Sequence, residues 1–227
     1  MALCEEAGFD RTVRDTVYWV ALLRYVGCTG HAHEIATVFG DDVALLAQTL
    51  VLDTADPAKV LGAMVAFATA GRDPGEHEQI ARSIQEGAHE WAVHNFATGC
   101  EAADVLVQRL GFGADVRDAI RFTYERWNGH GYPAGAKGEE IPLAMRVVHL
   151  SHDMEAIGRL TSPAKALDAA RERSGSTYDP ALADLFVARG ATWFEQLAKL
   201  DPWDAVLDLE PTPYRTLGGA ELDDALT

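Results

Sequence analysis

The sequence predicts an all-α protein. Apolar residues recur at three- and four-residue spacings along most of the chain, clear period-two alternation is almost absent, and Asp-Pro steps stand where helices would begin. With 227 residues and 48% apolar side chains, there is room for one large domain or two small ones and ample material for a core.

The elements follow in order. Val13, Val17, Val20, Ala21 and Tyr25 place one apolar face on a helix from Arg11 to Gly27, which Gly27 ends. Gly30 allows a turn, His31 to Phe39 reads as a short helix, and Asp41 or Asp42 caps a segment from Val43 to about Leu52. Asp56-Pro57 opens another helix, carried by Val60, Leu61, Met64, Val65 and Phe67. After a turn at Gly71 to Gly75 come a polar-faced helix of about Glu76 to Phe96, then helices over Cys100 to Leu110 and Ala114 to Trp127. Further on, Leu143 to Leu160 is strongly apolar, Pro163 to Arg173 is another helix, and Tyr178-Asp179-Pro180 starts one more. A helix runs from Gly190 to Leu200, and the last eight residues read as the first turns of a new one. We divide the chain into a helical domain over 1–190 and C-terminal helices with a linker over 191–227. Trp91, Trp193 and Trp203 are expected to pack between helices, and Cys28 and Cys100 to be small buried hydrophobes.

Nineteen basic against thirty-five acidic side chains give a net charge of −16. Such a surface repels nucleic acid and anionic membrane, so direct nucleic-acid binding is not expected, although a local basic pocket could take a phosphate. The longest apolar runs are too short or too broken to span a bilayer, and no secretory leader opens the chain. The three widely spaced cysteines suit a reducing compartment, so the expected location is the cytoplasm.

Between two of the helices lies ERWNGHGYPAGAKGEEIP, from Glu125 to Pro142. Four glycines and two prolines there cannot continue a helix, and Trp127 and Tyr132 need burial or a partner. The stretch resembles the GYP loop of the HD-GYP family, bacterial metal-dependent phosphodiesterases that hydrolyse cyclic di-GMP. Fifteen positions between Glu125 and Arg146 stand in register with that family's ERW…GYP…GEEIP pattern. Ala21 to Cys28, Gly99 to Phe112 and Gly175 to Phe186 extend the resemblance, which implies an HD-superfamily helical bundle.

The resemblance also locates the family's metal ligands, and here this chain departs from it. Imidazole and carboxylate hold the metals of such a site because they offer lone pairs, and the metals activate the attacking water. The family's His-Asp dyad falls on Arg24-Tyr25 and its lysine on Cys28; its middle histidine falls on Thr98 or Gly99. The histidine pair before the loop is Thr123-Tyr124, and the aspartate of the next helix is His152. The family's first ligand is expected ahead of the chain or in its first ten residues, which hold no His. A guanidinium has no lone pair to offer. Arg24 is therefore expected to take the vacated metal position and to pair with Asp153 or Glu155. A rebuilt metal site is the rival reading, drawing on His149, His152 and Asp153 with His31, His33 and Glu34.

The favoured function is thus a non-catalytic HD-GYP-like signalling module without cofactor. Arg126, Trp127, Gly131, Tyr132, Pro133 and Lys137 would form a recognition surface for a ligand or protein. The resemblance implies a cyclic dinucleotide or a GGDEF-type protein as partner; the oligomeric state is open, a homodimer included. The alternative is a divergent metal-dependent phosphohydrolase, similar to a cyclic di-GMP phosphodiesterase, using Mn or Fe. The sequence from Gly190 onward is similar to the linker of actinobacterial LuxR-type regulators with a degenerate N-terminal HD-GYP half.

Overall fold

A computed structural model of the chain describes residues 1–28, 49, 51–214, 216–220 and 223. The expected helix at His31 to Phe39, the cap at Asp41 or Asp42, most of Val43 to Leu52 and most of the last eight residues lie outside the described residues.

The fold is all-α. Among the described residues the helices are α1 (Ala2–Glu6), α2 (Arg11–Leu23), α3 (Pro57–Thr69), α4 (Pro74–Arg109), α5 (Ala114–Ile120), α6 (Leu143–Leu160), α7 (Pro163–Glu172), α8 (Pro180–Leu197) and α9 (Pro202–Asp208). Proline opens α3, α4, α7, α8 and α9, where its missing N–H leaves no bond unmade, and an Asp or Ser before it caps each helix. Helix α6 is the central element: α2, α5, α7 and α8 all pack on it. Its buried Met145, Leu150, Met154 and Ile157 meet Val17 and Val20 of α2 and Phe186 of α8 in one core.

Several boundaries differ from the sequence reading. The helices expected on either side of Thr98 are one continuous α4, because Gly99 is where the chain near Gly27 crosses and not where α4 breaks. A side chain at Gly27 would run into the Gly99 carbonyl and the Ala103 amide, so the missing Cβ lets the two backbones touch. Helix α5 stops at Ile120, seven residues short of Trp127, and the Thr123 hydroxyl donates back to the Ile120 carbonyl at 2.6 Å. The expected division at 190 falls inside α8. Trp203 does not pack: it is 76% exposed, whereas Trp193 lies against Phe186. Helix α1, absent from the sequence reading, buries Leu3 and Cys4.

Candidate functional site

The loop from Glu125 to Pro142 is held by its own sequence. Tyr124 carbonyl accepts from the Tyr132 amide at 3.0 Å, and Trp127 carbonyl accepts from Gly138 at 2.8 Å. Gly131 lies flat on the backbone of Glu125 and Arg126, where no side chain would fit. Glu125 is fully buried, and its Oε1 accepts from the Ala134 amide at 2.8 Å. Burial raises the Glu125 pKa despite backbone N–H bonds from Ala134, Ala136 and Gly135. Among the described residues its buried Oε2 has no direct hydrogen-bond partner of good geometry. Sequence reasoning treated Glu125 as a matching letter and missed that it anchors the loop.

The loop also docks on the segment before α8. The Trp127 and Asn128 amides donate to the Thr177 and Ser176 carbonyls at 3.2 and 2.8 Å. Arg146 stands 5.7 Å from the Trp127 ring and pairs with the buried Asp179 at 2.7 Å. A third strand of contacts comes from 51–55: Arg126 Nε donates to Thr54 Oγ1 at 2.6 Å, and Arg173 donates to the Leu52 and Val51 carbonyls at 2.9 and 2.8 Å. The Thr177 hydroxyl donates to Asp53 at 2.6 Å. Of the residues expected to form a recognition surface, Lys137 is exposed, while Arg126, Trp127, Gly131, Tyr132 and Pro133 are half-buried. The Tyr132 ring packs 5.5 Å from Phe96 and 5.8 Å from His89.

Several of the positions that the resemblance aligns with metal ligands meet: Arg24 lies against Tyr25 and the Thr123 carbonyl, and Tyr25 against His152. Tyr124 stacks on Phe96 at 4.2 Å, and its hydroxyl lies 2.7 Å from Cys28 Sγ. Cys28 and Tyr124, which stand where the family has a lysine and a histidine, are thus partners. Burial raises the pKa of both, and it pushes Cys100 up to about 12, so all three stay protonated at neutral pH. His149 is 2% exposed, and its Nε2 stands 3.1 and 3.0 Å from the Phe122 and Thr123 carbonyls. Two carbonyls can only accept, so Nε2 carries the proton. Burial, reinforced by the charges of Arg126 and Arg24, drives the His149 pKa well below its ordinary value and leaves the ring neutral.

Asp153 is also committed. Its Oδ1 accepts from His152 Nδ1 at 2.9 Å and its Oδ2 from the Tyr178 hydroxyl at 3.0 Å. Burial alone would raise its pKa; the His152 hydrogen bond and the charges of Arg126 and Arg24 outweigh burial and hold it well below the usual carboxylate range. Tyr178, within the Gly175 to Phe186 match, is read from the sequence only as part of a helix start.

Arg24 is buried, 3% exposed, at the end of α2. The expected ion pair with Asp153 or Glu155 does not form among the described residues. Asp153 is occupied by His152 and Tyr178, and Glu155 pairs instead with Arg159 one turn along α6 at 2.9 Å. Among the described residues Arg24 Nη2 reaches only the Thr123 carbonyl, at 3.5 Å, and the guanidinium carbon lies 4.5 Å from the Tyr25 ring centre. Tyr25 in turn meets His152 edge to face at 5.4 Å.

These residues do not fit a metal ion. Among the described residues no group of three or more His, Cys, Asp or Glu could hold one. In the fallback set of His149, His152 and Asp153, His149 spends Nε2 on carbonyls and His152 spends Nδ1 on Asp153, while Arg24 adds a fixed positive charge. His31, His33 and Glu34 lie outside the described residues. No described helix is long and apolar enough to cross a membrane.

A separate groove of about 550 Å³ lies between α2, Phe112 and residues 211–214, 216 and 217; it shares no lining residue with this cluster.

The family model of the HD domain matches residues 94–182, from within α4 to the start of α8. The chain is 25% identical over 216 residues to 3'3'-cGAMP-specific phosphodiesterase 3 of Vibrio cholerae, covering 92% of this chain and 45% of that protein. It is 34% identical over 99 residues to a cyclic di-GMP phosphodiesterase of the same organism, covering 40% of this chain and 20% of that protein. The chain thus spans less than half the length of either curated relative. A crystal structure of a cyclic GMP-AMP specific phosphodiesterase from V. cholerae superposes with a TM-score of 0.58 at 22% identity, over 99% of this chain and 55% of that one. That likeness is one of fold.

Proposed function

We propose that the chain is a non-catalytic HD-type module that engages a cyclic dinucleotide. Both curated relatives act on such molecules by name, which supports the ligand class. The observation that carries the non-catalytic part is the state of the aligned positions: they bond to one another and to the backbone, with a guanidinium among them. Lys137, exposed on the loop, is the residue we assign to ligand or GGDEF-type protein contact, beside Arg126, Trp127 and Tyr132. The cytoplasm, a homodimer and a place within a longer LuxR-type regulator belong to the same proposal.

The second reading is a metal-dependent cyclic dinucleotide phosphodiesterase with Mn or Fe. The comparisons weigh toward it, since both curated relatives carry phosphodiesterase names. Its ligands would draw on His31, His33 and Glu34 together with His149, His152 and Asp153.

One experiment separates the two. The protein is purified under low oxygen from medium containing manganese and iron, its metal content is measured, and it is incubated with 3'3'-cGAMP and cyclic di-GMP. The non-catalytic reading expects no stoichiometric metal and no product. Metal-dependent product that disappears in His31→Ala and His33→Ala variants would establish the second reading instead.

A further inference from the structure

The groove between α2 and the segment after α9 is built by specific contacts. Asp15, Thr16 and Trp19 lie within one turn of α2 and form one side, and Phe112 and Asp115 form another where α4 passes into α5. The Trp19 and Phe112 rings pack 5.0 Å apart and hold these two sides together. Residues 211–214, 216 and 217 close the third side. That segment is fixed from α2: Arg11 Nη2 donates to the Thr212 carbonyl and hydroxyl at 2.9 and 2.7 Å, and the Tyr18 hydroxyl donates to the Val206 carbonyl at 3.0 Å. The space left open is about 550 Å³, within the roughly 300–1,000 Å³ of small-molecule sites.

The lining narrows the ligand. Among the described residues its charged members are Asp15 and Asp115; Arg215 lies outside the described residues. Arg11, outside the lining, stands 3.5 Å from Asp15 in an exposed pair of the weak surface kind, and its Nη2 is spent on Thr212. The buried Thr16 hydroxyl lies 3.0 Å from the Thr12 carbonyl and 3.1 Å from Asp115 Oδ2, so one proton serves both and Asp115 keeps acceptor capacity. Three aromatic rings stand beside these carboxylates: Trp19 and Phe112 are half-buried, and Tyr214 is 65% exposed. Ring faces attract cations, and carboxylates accept charge-assisted bonds from N–H donors. An anion would meet two carboxylates on a chain of net charge −16, and a neutral apolar molecule would desolvate them without a partner.

We propose that this groove binds a small organic cation, a protonated amine on an apolar body. Asp15 and Asp115 take the ammonium group, and Trp19, Phe112 and Tyr214 take the body. The source is either an arylalkylamine or a linear polyamine, which present the same ammonium chemistry. Tyr214 lies outside any helix, so its ring can turn onto a bound ligand without unwinding one. The site shares no residue with the cluster around Arg24 and Tyr124 and stands whichever function that cluster serves.

The test uses the whole chain in about 150 mM sodium chloride, where diffuse attraction to the acidic surface is screened. Phenethylamine, spermidine and the neutral 2-phenylethanol are titrated by calorimetry. At least one amine is expected to bind saturably, about tenfold or more tighter than the alcohol. Asp15→Asn and Tyr214→Ala should each weaken that binding about threefold to tenfold. Tyr214 is exposed, so its variant carries the test should Asp15→Asn not fold. Asp168→Asn, on α7 and outside the lining, should leave the affinity unchanged. Binding of phenethylamine alone assigns the groove to arylalkylamines, binding of spermidine alone to polyamines, and binding of both to the shared ammonium group. Silence from both amines, equal binding of 2-phenylethanol, affinity indifferent to Asp15→Asn and Tyr214→Ala, or an equal loss in Asp168→Asn overturns the site.

Discussion

His149 shows how burial converts a candidate ligand into a structural donor. Its Nε2–H is taken by the Phe122 and Thr123 carbonyls and its ring is held neutral. The folded pKa lies below the unfolded value of about 6.5, so the unfolded chain binds more protons in acid. Its contribution is therefore complete above pH ~6.5 and is lost as pH falls toward the folded pKa, by up to about 1.4 kcal/mol per unit. Urea denaturation between pH 7 and 5 should show this loss, and His149→Gln should flatten it. Asp153 acts in the same direction in a lower window. Its depressed pKa withdraws stability only below pH ~4, as the unfolded carboxyl protonates. Glu125 gives a second residue-scale expectation: Glu125→Ala removes the acceptor of the Ala134 amide and should cost about 1–3 kcal/mol by the same measurement. An unchanged midpoint would mean that the loop closes without it.

At the scale of elements, the turn after α2 meets α4 backbone to backbone at Gly27. Gly27→Ala would drive a Cβ into the Gly99 carbonyl and the Ala103 amide, and should destabilise by about 1–3 kcal/mol. Gly62, within α3, has open space around its missing Cβ. Gly62→Ala should therefore stabilise by about 0.5–1 kcal/mol through helix propensity. Opposite signs for two identical substitutions, read by thermal or urea denaturation, test the placement of both elements; equal signs would contradict it.

For the molecule as a whole, the net charge of −16 acts on every part at once. The compact state gathers like charges, and salt screens them over a Debye length that falls from about 30 Å at 10 mM to about 8 Å at 150 mM. Tm should rise as sodium chloride is raised through that range, and a flat or falling Tm would show that local ion pairs outweigh the net field. Such pairs include Arg146–Asp179 and the Asp104 pairs with Arg117 and Arg121.

The sequence by itself determined the helical class, most helix starts and the shape of the loop from Glu125 to Pro142. Those depend on local chemistry: period, proline, an Asp cap and glycine. It also placed Arg24, Tyr25, Thr123, Tyr124 and His152 in one cluster, through the resemblance. The tertiary structure alone decided who pairs with whom. That Cys28 meets Tyr124, that Tyr178 rather than Arg24 takes Asp153, and that Glu125 holds Ala134 are contacts between residues 9 to 96 positions apart. Local pattern carries no record of such distances. The continuity of α4 through Gly99 has the same origin: glycine reads as a break along one strand of sequence, but here its missing side chain is what admits a second backbone.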